Sequence, residues 1–125
     1  MFPRLRRGPL ARCAEAGWRA LSRILHALKA AAPKAKIAVM TCYEWAAVDD
    51  PASDRRVEQL DRTIDDAAAK AGVTTVDALA AFNRIGDGRQ RLCDLTLFCS
   101  PTHDLHPSDA GYRVMRDLSA KALAP

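Results

Sequence analysis

Apolar residues recur at helical spacing over residues 13–32, at Ala14, Trp18, Leu21, Leu25, Leu28 and Ala32. Alanine, leucine, arginine and lysine fill the positions between them, all good helix formers. Pro33 ends the stretch, because the residue before a proline is pushed out of the helical region. The period then changes. Lys36–Cys42 (KIAVMTC) is a short, almost unbroken apolar run carrying Ile37 and Val39, and it predicts a strand covered on both faces, as in a parallel sheet. A polar and aromatic loop occupies 43–51. A second helix is expected from a cap at Asp54 to about Ala71, with Val57, Leu60, Ile64, Ala67 and Ala71 on one stripe and Gly72 placed for the C-terminal cap. Val73–Asp77 (VTTVD) reads as a second β-branched strand, and Ala78–Phe82 is too short to assign. Residues 83–106 show no clear period and include Gly86, Gly88 and Pro101. Loops of that length inside a domain are usually functional or disordered. Pro107 suits the first position of a closing helix lined by Ala110, Val114, Leu118 and Ala122.

Strands alternating with helices define an α/β class with a parallel sheet. Only two strands are secure, fewer than the five or six of a typical sheet, so the pattern predicts part of an α/β domain. The 125 residues allow one domain, and 49% hydrophobic with 27% charged content fits a folded chain. The net charge of +4 is local. Arg4, Arg6, Arg7 and Arg12 fall in the first twelve residues, where there is no acid, and the remaining basic and acidic residues balance. A neutral body argues against a broad nucleic-acid surface. Residues 1–12 are expected to be a flexible basic leader or junction, and not a binding arm. No apolar run approaches the roughly 18 residues of a membrane span, and no uninterrupted apolar stretch of a secretory signal is visible.

The informative stretch is Pro101–Tyr112, P-T-H-D-L-H-P-S-D-A-G-Y, which sets imidazoles and a carboxylate just before a helix. His106 can take a proton from a nucleophile near neutral pH, and a nearby carboxylate can fix its tautomer. The plainer alternative is that His106 merely caps the helix.

The block D-L-H-P-S-D-A-G-Y resembles the C-terminal block of the SGNH (GDSL-like) hydrolases, which are serine esterases and lipases. In that family an Asp-x-x-His-Pro segment followed by Gly-Tyr or Gly-His supplies the acid and base of the triad. Upstream, L-x-x-I-L-x-A-L-K-A-A-A-P-K-A-K-I-A-V-M-T looks like the helix and strand after the family's Gly-x-Asn-Asp block, and the likeness covers roughly residues 13–124. The resemblance implies a partial three-layer α/β/α parallel sheet of flavodoxin-like type lacking its N-terminal strands, with residues 13–125 as its C-terminal portion. It implies ester hydrolysis through an acyl-enzyme, with His106 as the base, a small-molecule ester as substrate and no cofactor. Two departures stand out. The Gly-Asp-Ser nucleophile block and the Gly and Asn oxyanion blocks are absent, and none of Ser22, Ser53, Ser100, Ser108 or Ser119 stands in such a context. Oxyanion donors are worth about 3–4 kcal/mol each, so little or no esterase activity is expected. The family's acid also lies three positions before the histidine. Here that position is His103, whose backbone carbonyl could substitute, while Asp104, two before His106, is the best carboxylate by type. Asp104 could equally do no more than cap the following turn.

Cys93, Cys99, His103 and His106 form C-x5-C-x3-H-x2-H, a poor match to zinc-binding spacing. A Cys93–Cys99 disulfide would staple the loop beneath His106. Secreted relatives of the family often carry such bridges, and with the compartment unknown reduced thiols are the alternative. Cys13 and Cys42 read as small core residues and Trp18 as core. Asp65 and Asp66 read as a solvated face. Tyr43, Glu44 and Trp45 end a strand, where α/β sites lie, and are weighed between loop packing and lining a cleft. Three readings follow: a truncated esterase half, a non-catalytic fragment that associates through an open sheet edge, as a homo-oligomer for instance, and a small zinc-loop protein.

Overall fold

The structure is a computed structural model that describes residues 9–44 and 50–125. The elements are α1 (Pro9–Ala31), β1 (Ala38–Met40), α2 (Pro51–Ala71), β2 (Thr74–Val76), α3 (Ala78–Asn83), α4 (Gly88–Leu95) and α5 (Asp109–Ala122). β1 and β2 pair in parallel, with Ala38 opposite Thr74, Val39 opposite Thr75 and Met40 opposite Val76. The α/β reading of the sequence therefore holds, with a two-stranded sheet among the described residues.

Helices α2, α3, α4 and α5 each begin at a residue whose side chain accepts from an amide of the first turn. α2 starts at Asp50, whose carboxylate accepts from Ala52 N–H, and Pro51 follows in the first turn where its missing N–H costs nothing. Asp54, expected as the cap, instead sits inside the first turn and pairs with Arg84 at 2.7 Å. Gly72 caps the other end in the left-handed region, φ 65°, as expected. α1 begins at Pro9 and not at Cys13, so four residues assigned to the leader are helical. Pro suits a first turn, and Leu10, Ala11 and Arg12 are helix formers. The rest of that leader, residues 1–8, lies outside the described residues.

Two apolar clusters hold the elements. Leu25, Ala68, Ala71 and Val73 are buried together, with Leu21, Ile37 and Val39 against them, which docks α1 and α2 on the sheet. Lys29 Nζ donates to the Ala71 carbonyl at 2.6 Å and closes the ends of both helices. The second cluster joins Ala81, Phe82 and Leu95 to Tyr43, Ala110, Val114, Met115 and Leu118, and so gathers α3, α4 and α5. The segment that showed no period, 83–106, contains α4, capped by Asp87 and anchored by buried Leu92 and Leu95. β1 is only half-buried, against the expectation of a strand covered on both faces. β2 lies on one side of it, and among the described residues no strand lies on the other. Cys13 is exposed and Cys42 half-buried, so neither is a core residue, and Trp18 is half-buried beneath Lys70 Nζ, 4.8 Å from the ring centre.

Candidate active site

The site forms where α4 hands over to α5. Leu97 N–H donates to the His106 carbonyl at 3.0 Å and Ser108 N–H to the Leu95 carbonyl at 2.9 Å, so 97–106 closes as a loop on an antiparallel bridge between Thr96 and Pro107. Pro107 is not the first helical residue. It sits at a bridge position whose hydrogen bonds are made by its neighbours, and Ser108 is the cap, accepting from Gly111 N–H. Cys93 and Cys99 are joined in a disulfide, Cα–Cα 5.1 Å, which ties α4 to the loop.

Within the loop, His103 takes a left-handed backbone, φ 47°, uncommon for a residue with a side chain. The turn this creates brings Asp104 back on His106. Asp104 Oδ1 accepts the His106 backbone N–H at 2.9 Å and lies 2.5 Å from His106 Nδ1. The carboxylate thus does both things weighed from the sequence: it closes an Asx turn and engages the imidazole. The His106 backbone N–H, then its ring, hold the Asp104 carboxyl below the usual carboxylate range. His103 makes no hydrogen bond to His106, and its own Nδ1 lies 3.1 Å from the Phe98 carbonyl. The spacing of two, in place of three, is therefore accommodated by the turn.

Nδ1 is held by Asp104, and the His106 side chain is otherwise exposed. His106 is one wall of a cleft of about 360 Å³ lined also by Thr41, Cys42, Tyr43, Leu105 and Met115. Tyr43 lines the cleft and packs the loop at once, since its hydroxyl donates to the Leu105 carbonyl at 2.5 Å and its ring stacks on Phe82 at 4.6 Å. Glu44 is buried and exchanges backbone bonds with the Asn83 side chain, so it packs the loop, while Trp45 lies outside the described residues.

No serine lines the cleft among the described residues. Ser100 and Ser108 donate their hydroxyls to the Leu97 and Asp94 carbonyls. Thr41 Oγ1 accepts from Ala78 N–H at 2.9 Å, capping α3 from the end of β1. Burial, then the Asp61 charge, pushes the Cys42 thiol up, which keeps it protonated and a poor nucleophile.

Asp61 was missed by the sequence reading. It is 6% exposed, its Oδ1 accepts the Cys42 N–H at 2.8 Å, and its Oδ2 is buried without a hydrogen-bond partner. Burial lifts its pKa to about 6, with Asp77 and Asp65 adding to the rise and the Cys42 N–H opposing it. The signal was its register: Val57, Asp61, Ile64, Ala68 and Ala71 share one stripe. A raised carboxyl pKa means that the folded chain holds the proton more tightly than the unfolded one, so this group's contribution falls as pH rises from about 4 to about 6. Asp61→Asn keeps an acceptor for Cys42 and removes the charge, but leaves an amide in place of Oδ2. It is expected to stabilise the chain by about 1–2 kcal/mol near neutral pH and by little near pH 4, in urea melts at both. Equal effects at the two pH values would contradict this.

The described residues form a partial parallel α/β domain with an Asp–His pair on the loop before α5. The model of the GDSL-like Lipase/Acylhydrolase family matches residues 4–114, and the chain belongs to that family. The match takes in residues 4–12 as well. No curated protein and no solved structure matches the chain. No helix among the described residues is long and apolar enough to cross a membrane.

Proposed function

We propose that the chain is the acid–base portion of a serine-type ester hydrolase, with His106 as general base and Asp104 as the carboxylate that orients it. The observation that carries this reading is the Asp104 oxygen shared between the His106 backbone N–H and Nδ1, which fixes the imidazole and leaves Nε2 available. The substrate is a small-molecule ester, and the route is acylation of a nucleophile followed by hydrolysis. Residues 13–125 correspond to the C-terminal portion of the domain. The chain as it stands is inactive, because neither its serines nor the cleft offers a nucleophile beside His106. The test is hydrolysis of p-nitrophenyl acetate by purified protein and by His106→Ala. Both are expected to match buffer. Turnover that His106→Ala abolishes would show a nucleophile within this chain.

The half-buried β1 and the exposed Ile24, Leu28 and Leu60 favour a second reading, association with another chain, a second copy included. Light scattering after size exclusion decides it, since a monomer with one cooperative melt counts against association. The zinc-loop reading needs both sulfurs that the disulfide occupies, so metal analysis of the reduced protein is its test.

A further inference from the structure

α1 and α2 lie side by side, joined at their C-terminal ends by Lys29 Nζ on the Ala71 carbonyl. Leu25 of α1 is buried in one cluster with Ala68 and Ala71. Toward its N-terminal half α1 presents only Ala14 and Gly17, and a Cβ built on Gly17 would meet nothing within 4 Å. The space they leave is a groove of about 360 Å³, walled by Ala14, Gly17 and Leu21 on α1 and by Leu60, Thr63 and Ile64 on α2. Thr63 donates its hydroxyl to the Gln59 carbonyl at 2.9 Å, so its polar group is satisfied within the helix. Among the described residues no carboxylate lines the groove, and Arg56 is its one charged wall. Beside it lies a basic pocket with Arg55, Arg56 and Arg62 in its lining, and Arg56 and Gln59 belong to both. Glu58, the acid of that pocket, is engaged by Arg84 at 3.2 Å. Arg55 and Arg56 make no hydrogen bond or ion pair among the described residues. Arg62 also borders Asp65 and Asp77 in a neighbouring pocket, so its charge is partly offset. None of these residues lines the His106 cleft.

We propose that the groove binds a single-chain carboxylate amphiphile, with the alkyl chain between α1 and α2 and the carboxylate on Arg56 and Arg55. Two observations of different kinds meet at Arg56. The first is an apolar groove open to water, which is stabilised by any apolar group that fills it. Its size lies at the lower end of small-ligand sites, about 300–1,000 Å³. Residues 13–21 span about 12 Å of helix axis, so one straight chain of medium length fits along it. The second is the pair of unpaired guanidiniums at its edge, whose planar forks match a carboxylate with two parallel hydrogen bonds. A cationic amphiphile would meet Arg56 with no carboxylate beside it. A bilayer needs apolar side chains that project into it, whereas Ala14, Leu21 and Ile64 are half-buried walls of a recess. The site is separate from the hydrolase reading and does not rest on it.

The experiment titrates the full chain with sodium decanoate, decyltrimethylammonium chloride and sodium acetate, the two amphiphiles below their micelle concentrations. It follows amide and methyl shifts together with the rate of Cys13 alkylation. Cys13 is an exposed free thiol on the groove wall, so its protection reports occupancy. Saturable shifts at Gly17, Leu60 and Ile64, with Cys13 alkylation slowed, are expected with decanoate and with neither control. Arg55→Gln combined with Arg56→Gln is expected to weaken decanoate binding about tenfold or more. Gly17→Leu places a side chain in the open space of the groove and is expected to abolish binding, with a melt no lower than native. No saturable shift with decanoate, equal binding of the cationic amphiphile, or unchanged affinity in either variant would each overturn the proposal. Binding to anionic phosphatidylglycerol vesicles without a decanoate response would assign the surface to a bilayer. Shifts at the same residues on raising the protein concentration alone would assign it to a second copy of the chain, and either result overturns the proposal as well.

Discussion

Phe82→Ala is expected to remove about 3–5 kcal/mol of stability, measured as a fall in the urea midpoint at unchanged slope. Phe82 is fully buried, and it is the largest buried side chain in the cluster that gathers α3, α4 and α5. Truncation forfeits its contacts with Leu95 and with the inner face of α5, and a cavity remains because α3 is pinned on both sides. Thr41 caps its start, and Asn83 at its end exchanges bonds with Glu44. Domains of this size hold only about 5–15 kcal/mol, so the loss is a large share. The site should register it too, since Tyr43 stacks on Phe82 and donates to the Leu105 carbonyl beside His106. Phe82→Leu, which keeps most of the volume, should recover much of the stability but not the stacked geometry. Two variants with equal melts near the native value would mean that this cluster does not hold the fold.

The same residue shows where the sequence stopped being legible. Helices α1, α2 and α5 were readable because each is long enough for its apolar stripe to repeat. α3 spans six residues, too few for a period, yet it supplies the centre of the second core. α4 was read as loop because its buried residues are only Leu92 and Leu95, while Arg89, Gln90, Arg91 and Asp94 are polar. What makes it helical is Asp87, whose carboxylate accepts from Arg89 and Gln90 N–H, together with packing from elsewhere in the chain. The start of α2 was misplaced by four residues because Asp50 and Asp54 are equally good caps, and Pro51 decides between them. His106 and Asp104 were legible as residue types in a motif. Their contact was not, because it depends on the positive φ of His103, which no composition rule anticipates. Asp61 stood in plain view as a charge on an apolar stripe. Asp65 and Asp66, four and five positions later, are exposed as expected of a solvated face.

Gly111→Ala is expected to cost about 3 kcal/mol or more, at or beyond the upper end of the usual overpacking range. A Cβ at this buried glycine would lie 2.0 Å from the Leu95 carbonyl oxygen and 3.0 Å from Pro107 Cβ. Neither neighbour can step aside cheaply. The Leu95 carbonyl belongs to the last residue of α4, accepts the Ser108 N–H, and flanks the Thr96–Pro107 bridge. Relief requires α5 to lift from α4, which opens the base of the loop carrying Asp104 and His106. Stability and site geometry should therefore fail together. The thermal midpoint should fall, and the backbone amide shifts of Asp104 and His106 should move as the turn between them opens. Gly17→Ala is the control of opposite sign. It lies mid-helix in α1 with nothing within 4 Å of the added carbon, and it is expected to gain roughly 0.5–1 kcal/mol. A Gly111→Ala chain as stable as Gly17→Ala would show that α4 and α5 do not approach as closely as the 2.0 Å contact requires.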